Sequence, residues 1–222
     1  MLSCRSVAKT YAAERGDVVA VDAIDLDVTA GQFAAIIGRS GSGESSLMAM
    51  IGGLSRPSGG IVMVDDTEIW GLSEKARASF RNLKIGYVFQ FASLLPSLRI
   101  IDNVALPALL GRRMEARAAY GAAAALLDQL GLTDYAEAYP PEISAGEQRR
   151  AVIARALINE PALLLADEPT SDLDEQTEIE LMDRLRDLNR ARGMTLVTVT
   201  HNLHLAEQAD RVLHIADGRL VS

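Results

Sequence analysis

The sequence contains little cysteine and little lysine, and each shortage limits what the protein can be. Cys4 is the only cysteine among the 222 residues, which excludes an internal disulfide and suits a reducing compartment. Only three of the 22 basic residues are lysines, and the net charge is −8. This balance argues against a broad basic surface, so we expect no nucleic-acid partner.

Long apolar runs are also missing. The apolar runs, such as residues 162–166, are far too short to span a membrane. The first residues have no apolar stretch of signal-peptide length. We therefore expect a cytoplasmic protein, and a role at the membrane would need a separate membrane partner.

Short apolar runs alternate with helical stretches along most of the chain. Residues 24–29 alternate between apolar and polar, which indicates a half-buried antiparallel strand. The continuous run Phe33 to Ile37 is typical of a strand buried on both faces. Further strands are predicted at 61–64, 85–89, 162–167, 196–200 and 211–215. The pattern predicts an α/β fold with a mainly parallel sheet and an N-terminal antiparallel part.

The middle of the chain is predicted to be mostly helical. No convincing strand occurs in residues 91–158, and the alanine-rich stretch 115–130 favours a helix that ends at Gly131. We expect one domain over 1–222, with 1–90 and 159–222 as its β/α core and 91–158 as an inserted helical subdomain. A further helix is predicted from an Asp174 cap to Ala191. Its predicted core positions are Ile179, Met182, Leu185 and Leu188.

A glycine-rich loop follows the buried strand Phe33 to Ile37. Residues 38–46 have the sequence G-R-S-G-S-G-E-S-S. Glycines allow successive backbone N–H groups to point at a phosphate chain at the start of a helix, where the helix dipole favours negative charge. We expect the Ser45 hydroxyl to bind magnesium as well. The predicted phosphate-binding residues are Gly38, Ser40, Gly41, Ser42, Gly43, Glu44, Ser45 and Ser46.

Glu44 is the one departure from this motif. The motif requires a lysine at this position, which reaches the terminal phosphates. A carboxylate there has the wrong sign of charge, so we expect weak nucleotide binding and little hydrolysis. Lysine and glutamate codons differ by one base, so natural drift, an engineered change or a sequence error would each produce Glu44.

Two adjacent carboxylates follow a second buried strand. Asp167 and Glu168 come directly after the run Leu163 to Ala166, at the strand end where open parallel sheets bind ligands. A lone Asp-Glu pair more often belongs to a turn or a helix cap. Together with the glycine loop, the pair favours a magnesium ligand at Asp167 and a residue that polarises the attacking water at Glu168.

Residues 143–150, I-S-A-G-E-Q-R-R, resemble the signature sequence of ABC-type ATPases. Other segments are similar to further motifs of this family in the same order along essentially the whole chain. Gln90 resembles the residue of the glutamine loop, Ser171 to Asp174 the D-loop, and His201 the switch histidine. Tyr11 lies where the family has an aromatic residue that stacks on adenine.

This resemblance implies ATP and Mg²⁺ as cofactors and a second ABC ATPase subunit as partner. In the family, two cassettes face head to tail, and each nucleotide lies between the phosphate loop of one and the signature serine of the other. The resemblance therefore assigns Ser144, Gly146, Glu147 and Asp174 to nucleotide binding. It also assigns Gln90 and His201 to catalysis with Glu168, and Gln90 to the magnesium ion.

Two details of the sequence refine this resemblance. Ala145 replaces the usual glycine of the signature, which matters most if this position needs a positive φ. Residues 86–98 and 102–107 are similar to the lipoprotein-release and macrolide-export group and, nearly as much, to the cell-division ATPase. The group works with membrane permeases. We expect docking on one through exposed apolar residues, namely Phe91, Leu94, Leu95 and Leu98.

Three functions are compatible with the sequence. The first is an ATP-hydrolysing subunit, homodimeric at the inner face of the cell membrane, that drives a transporter or a mechanotransmission complex. The second is a degenerate subunit that regulates or supports an intact ABC ATPase, which rests on Glu44. The third is a soluble ABC ATPase that does not act in transport, and the lack of a second cassette and of a basic surface argues against it.

Overall fold

The computed structural model describes residues 1–13, 16–39, 41–91, 93–112, 114–171 and 173–221. The strands are β1 (Leu2–Tyr11), β2 (Val18–Val28), β3 (Phe33–Gly38), β4 (Gly59–Val64), β5 (Thr67–Glu68), β6 (Ile85–Val88), β7 (Leu163–Asp167), β8 (Thr195–Val199), β9 (Arg211–Ala216) and β10 (Arg219–Leu220). The helices are α1 (Glu44–Ile51), α2 (Glu74–Lys84), α3 (Ile100–Leu110), α4 (Ala116–Gln129), α5 (Ala145–Leu157), α6 (Glu175–Arg192) and α7 (Leu203–Ala206).

The first sheet is antiparallel and has the strand order β2-β1-β4-β5. In β2, Ile24, Leu26 and Val28 are buried, whereas Asp25 and Asp27 are exposed. This alternation confirms the half-buried strand, because successive side chains of a strand point to opposite faces. The buried face packs against α1 and the second sheet in one apolar cluster.

The second sheet has the order β10-β9-β3-β8-β7-β6, and only β10 is antiparallel to its neighbour. The first four residues of β3, Phe33 to Ile36, are almost completely buried, as expected for a central strand. Because β3, β6, β7 and β8 run in the same direction, their carboxyl ends meet at one edge of the sheet. The glycine loop, Gln90, the Asp167–Glu168 pair and His201 all follow strands that end at this edge.

Helices α3, α4 and α5 lie within residues 91–158, and no strand occurs among the described residues of that range. They pack in a second apolar cluster with α6 and one side of the parallel sheet. None of the helices in the described residues is long and apolar enough to cross a membrane. The sequence analysis gave no bounds for several elements, among them β1 and the amphipathic helix α2.

Helix α6 begins and ends as predicted, but one of its predicted core residues is wrong. The Asp174 carboxylate accepts the N–H of Thr177, and Gly193 closes the helix with a φ of 60°. Ile179 is 40% exposed, whereas Met182 and Leu185 are buried. Successive residues of an α-helix turn by about 100°, so repeated steps of three residues drift around the helix and cannot share one face.

The loop between β6 and α3 is held by the fully buried Asn103. Its amide nitrogen donates to the carbonyl oxygens of Leu95, Leu98 and Arg99 at 3.0–3.1 Å. Its amide oxygen accepts the backbone N–H of Leu95 at 2.7 Å. One side chain therefore replaces the regular backbone hydrogen bonds that this loop lacks.

We expect the substitution Asn103→Ala to lower the free energy of unfolding by about 2–3 kcal/mol, because it leaves several backbone groups of the loop unpaired. Urea denaturation measures this change. Lys84→Ala is the control, since its ion pair with Asp65 is solvent-exposed and should contribute less than about 1 kcal/mol. Equal losses in both variants would contradict the assigned role of Asn103.

Candidate nucleotide site

The glycine loop connects β3 to α1 and requires glycine for steric reasons. Gly41 and Gly43 have φ values of 88° and 104°, which side chains disfavour. A Cβ on Gly43 would lie 2.0 Å from the Ala20 carbonyl oxygen. A Cβ on Gly38 would lie 2.2 Å from the Ser42 hydroxyl oxygen. The predicted Ser40 lies outside the described residues.

Glu44 is the first residue of α1, and its side chain points into the loop. It is only 5% exposed, and its Oε1 atom has no hydrogen-bond partner among the described residues. This atom would be 2.2 Å from a Cβ on Gly38, so it lies close to the start of the loop. The carboxylate has therefore not rotated out to solvent.

Asp167 ends β7 beside the glycine loop. Burial raises the pKa of its carboxyl group, and a hydrogen bond with the Ser45 side chain partly opposes this shift. Its Oδ1 atom is buried, and none of the described residues forms a hydrogen bond with it. A carboxylate and a hydroxyl oxygen are oxygen ligands of the kind that Mg²⁺ prefers.

Glu168 has a left-handed backbone, with a φ of 49° that is uncommon for a residue with a side chain. Its N–H donates to the Val199 carbonyl oxygen at 3.0 Å. Burial raises the pKa of its carboxyl group; the charges of Asp167 and Glu44 add to this shift, whereas His201 opposes it. Nε2 of His201 lies 2.9 Å from Oε1 of Glu168, so the two predicted catalytic residues are in contact.

An open cleft of about 820 Å³ adjoins the glycine loop, and its lining includes Gly38, Gly41, Ser42 and His201. The glycine loop and the residues beside it fit a magnesium-bound nucleotide in all but one respect. The glycine cradle and the unpaired Ser42 hydroxyl offer groups to a phosphate chain, and Ser45 with Asp167 offers oxygen ligands to Mg²⁺. Glu44 does not fit, because its unpaired carboxylate oxygen adds negative charge inside the cradle.

Tyr11 lies near the start of α1. Its hydroxyl is 3.3 Å from the Ser46 hydroxyl, and its side chain is partly exposed. The Lys9 ammonium lies 4.9 Å from the ring centroid, in a cation–π contact that the sequence analysis missed. Tyr11 is therefore connected to the end of the phosphate loop. Gln90, which follows β6, is exposed at the same sheet edge.

The signature residues form the N-terminus of α5. The Ser144 hydroxyl donates to the Glu147 carboxylate at 2.8 Å, and the Ser144 N–H donates to it at 2.7 Å. This is a capping box, which satisfies backbone donors at the start of the helix. Ala145 is helical and does not have a positive φ, so its methyl group causes no backbone strain here.

Asp174 lies beside the signature residues. A Cβ on Gly146 would be 3.3 Å from a methyl carbon of Thr177, the residue that Asp174 caps. Among the described residues, no hydrogen bond or ion pair joins Ser144, Gly146, Glu147 or Asp174 to the glycine loop. These four residues therefore have no polar contact with the glycine loop in the part of the chain that the structure describes. Asp172 of the predicted D-loop lies outside the described residues.

The structure adds contacts that the sequence did not reveal. The Glu178 carboxylate accepts the Thr170 hydroxyl at 2.6 Å and the Asn202 amide at 2.9 Å. It therefore connects the segment after Glu168 with the residue after His201. Arg149, which follows the signature residues on α5, is buried and contacts two of the predicted loops. No motif signals these contacts, since they depend on tertiary packing.

Comparison with known proteins agrees with this geometry. The profile of the ABC transporter family matches residues 21–171. A lipoprotein-releasing system ATP-binding protein LolD from Pseudomonas fluorescens is 42% identical over 224 aligned positions, covering 100% of this chain and 97% of the relative. A LolD from Syntrophotalea carbinolica is 41% identical, covering 99% of this chain and 96% of that protein.

Solved structures are also similar. The dimeric ATP-binding cassette MJ0796 in a post-hydrolysis state with ADP and Pi has a TM-score of 0.94 and 35% identity, covering 100% of this chain and 97% of that one. The predicted fold, the ABC-type ATPase class and the cofactors ATP and Mg²⁺ are confirmed at the level of the family. The chain belongs to the ABC transporter family and is one of its ATP-binding cassettes.

Proposed function

We propose that this chain is the ATP-binding and ATP-hydrolysing subunit of a membrane complex that releases lipoproteins or moves a related apolar cargo. The observation that carries the proposal is the match over the whole chain to LolD proteins, together with the site that the motifs form. The same sequence similarity is compatible with a mechanotransmission complex instead of a transporter. The site residues are used in the same way in both cases.

Each residue at the sheet edge has a chemical task in this proposal. The glycine cradle and Ser46 hold the phosphate chain, and Tyr11 provides a ring for the base. Ser45, Asp167 and Gln90 would hold Mg²⁺, which supplies positive charge next to the reacting phosphate when it is bound. Glu168 accepts a proton from the attacking water and His201 orients Glu168, as their 2.9 Å contact supports.

The partners follow from family membership. An ABC cassette acts with a second cassette and with a membrane permease, and we propose that the second cassette is another copy of this chain. Ser144, Gly146, Glu147 and Asp174 would face the nucleotide of that copy, since they are separated from the chain's own glycine loop. The chain would lie at the inner face of the cell membrane, attached through the permease.

We propose that residues 91–158 form the helical subdomain that contacts the permease. Phe91 and Leu95 are 74% and 45% exposed, so both present apolar surface to solvent. Leu94 is only 9% exposed and belongs to the core, so the expectation that it lies on the docking surface is wrong. The hydrogen bonds of Asn103 to Leu95 turn Leu94 inward and Leu95 outward.

Glu44 should impair the reaction. Two unit charges about 4 Å apart interact by about 4 kcal/mol at an effective dielectric constant of about 20. The change from lysine to glutamate removes an attraction of this kind and adds a repulsion. Solvent and Mg²⁺ screen much of it, but the side chain is buried and faces the loop. A remaining penalty of about 3 kcal/mol corresponds to roughly hundredfold weaker binding.

The buried Glu44 carboxylate also favours a second candidate function. A cassette that binds nucleotide poorly would serve as a regulatory or structural subunit beside an intact ABC ATPase. The backbone cradle, Ser45 and Tyr11 would remain, so weak nucleotide binding would persist. The two candidates differ in whether the rest of the site is still able to hydrolyse ATP when the charge at position 44 is corrected.

We expect the substitution Glu44→Lys to raise both ATP affinity and turnover by at least about tenfold, because it replaces repulsion of the terminal phosphates by attraction. Calorimetry and a phosphate-release assay measure the two effects. Glu44→Gln is the control that removes the repulsion alone and should recover part of the affinity. Restored binding without hydrolysis would favour the regulatory function, and normal activity with Glu44 present would contradict our interpretation of this residue.

We expect Glu168→Gln, made in the Glu44→Lys chain, to suppress hydrolysis and to accumulate an ATP-bound dimer. The amide keeps the size of the carboxylate but cannot accept the proton. Phosphate release and gel filtration with ATP measure the two outcomes. Glu180→Gln, which changes an exposed carboxylate on α6, is the control and should leave turnover unchanged. Retention of most of the turnover would remove Glu168 from its proposed role.

We expect the substitutions Phe91→Asp and Leu95→Asp to abolish co-purification with the permease, because each places a charge on the apolar docking surface. The fold should be retained, since both side chains are exposed; circular dichroism and thermal melting check this. Ile61→Asp is the control, since Ile61 is similarly exposed but lies on the antiparallel sheet. If both docking variants still co-purify, the permease binds elsewhere.

A further inference from the structure

Arg149 connects three of the predicted motifs through one buried side chain. It lies on α5, the helix that begins with the signature residues, and is only 5% exposed. One guanidinium nitrogen donates to the Phe89 carbonyl oxygen at 2.8 Å. The other donates to the backbone oxygen and the hydroxyl oxygen of Ser171, both at 3.4 Å. The signature helix is thus hydrogen-bonded to the glutamine loop and to the D-loop.

Both hydrogen-bonding partners of Arg149 lie next to residues that are assigned to catalysis. The Phe89 carbonyl belongs to the peptide group that precedes Gln90. Ser171 closes a turn on Glu168, since its N–H and its hydroxyl donate to the Glu168 carbonyl oxygen at 3.2 and 3.1 Å. The left-handed backbone of Glu168 is sparsely populated for such residues and persists only if its surroundings hold it.

The turn from Glu168 to Ser171 makes a second contact, with helix α6. Thr170 is buried, and its hydroxyl donates to Glu178, which in turn accepts the amide of Asn202. Glu178 therefore fixes the turn relative to α6 and to the residue after His201. Arg149 is the contact that fixes the turn relative to α5. Without it, the turn would keep its link to the switch loop but lose a direct link to the signature helix.

We propose that Arg149 is a positioning residue, which holds Glu168 and Gln90 in register with the signature helix. Any movement of α5, such as one caused by engagement of Ser144 with a partner cassette, would then be transmitted directly to the catalytic carboxylate. The guanidinium group suits this role, because its planar, rigid donors can reach two loops at once. The proposal rests on the proposed ATPase function.

Two variants distinguish a positioning role of Arg149 from a purely structural one. Arg149→Met keeps a side chain of similar volume but removes every hydrogen bond from the guanidinium and leaves the Phe89 and Ser171 carbonyl oxygens without this donor. We therefore expect some loss of stability, and circular dichroism and thermal melting check that the fold is retained. Arg155→Met is the matched control, since Arg155 lies on the same helix and donates two hydrogen bonds at 2.6 Å, both to Ser93.

The first test needs no ATPase activity. In the unmodified chain without nucleotide, we expect Arg149→Met to speed hydrogen–deuterium exchange of the amides in residues 168–173 and 89–91 by about fivefold, because hydrogen bonds that hold both loops are lost. Arg155→Met should leave exchange in 168–173 unchanged. Unchanged exchange in Arg149→Met, or equal acceleration in both variants, would overturn the proposal.

The second test uses the Glu44→Lys chain. We expect Arg149→Met to lower kcat by about tenfold to a hundredfold, since small displacements of catalytic groups have effects of this size. KM for ATP should stay within about twofold, since Arg149 lies outside the nucleotide cradle. Arg149→Lys should recover part of kcat, because an ammonium group reaches only one of the two loops. An increase in KM without a decrease in kcat would overturn the proposal.

The two tests also separate this proposal from the proposed function. If Glu44→Lys restores no hydrolysis, the ATPase function fails, but the exchange experiment still decides whether Arg149 holds the two loops. If hydrolysis is restored and Arg149→Met retains the kcat of Arg155→Met, the ATPase function stands and the role of Arg149 is refuted.

Discussion

The common direction of β3, β6, β7 and β8 is the constraint on which the site depends. Each strand contributes one loop at its carboxyl end, so residues separated by more than a hundred positions in sequence meet at a single edge. The buried apolar residues of these strands keep that edge in register. The chemistry is therefore positioned by packing that takes no part in it.

Most of the fold could be predicted from the sequence because the strands of the parallel sheet are short apolar runs, each followed by a polar motif. The boundaries of β7 and of α6 follow directly from such patterns. The burial of Leu94 could not be predicted, because no periodic pattern in the sequence signals the hydrogen bonds by which Asn103 holds this irregular loop. Helix geometry alone shows that Ile179, Met182, Leu185 and Leu188 cannot all share one face. Which of them is exposed, and the contacts of Arg149 and Glu178, depend on tertiary packing.

Glu44 shows how a single charge can oppose an otherwise complete site. Its carboxylate is enclosed by the same loop geometry that would enclose a phosphate, and it raises the pKa of Glu168 through its negative charge. Glu44 adds a third carboxylate beside the buried pair Asp167 and Glu168, which makes the charged form of that pair less favourable. The same negative charge also repels the phosphates of a nucleotide. The residue therefore affects both the ligand and the proposed base.

The capping box at Ser144 has a consequence for association between two cassettes. Its hydroxyl already donates to Glu147, so a phosphate on a partner chain would have to displace an internal acceptor. One hydrogen bond is then exchanged for another, and the net gain is small compared with that of a free hydroxyl. Such an exchange would make the proposed contact between two cassettes readily reversible.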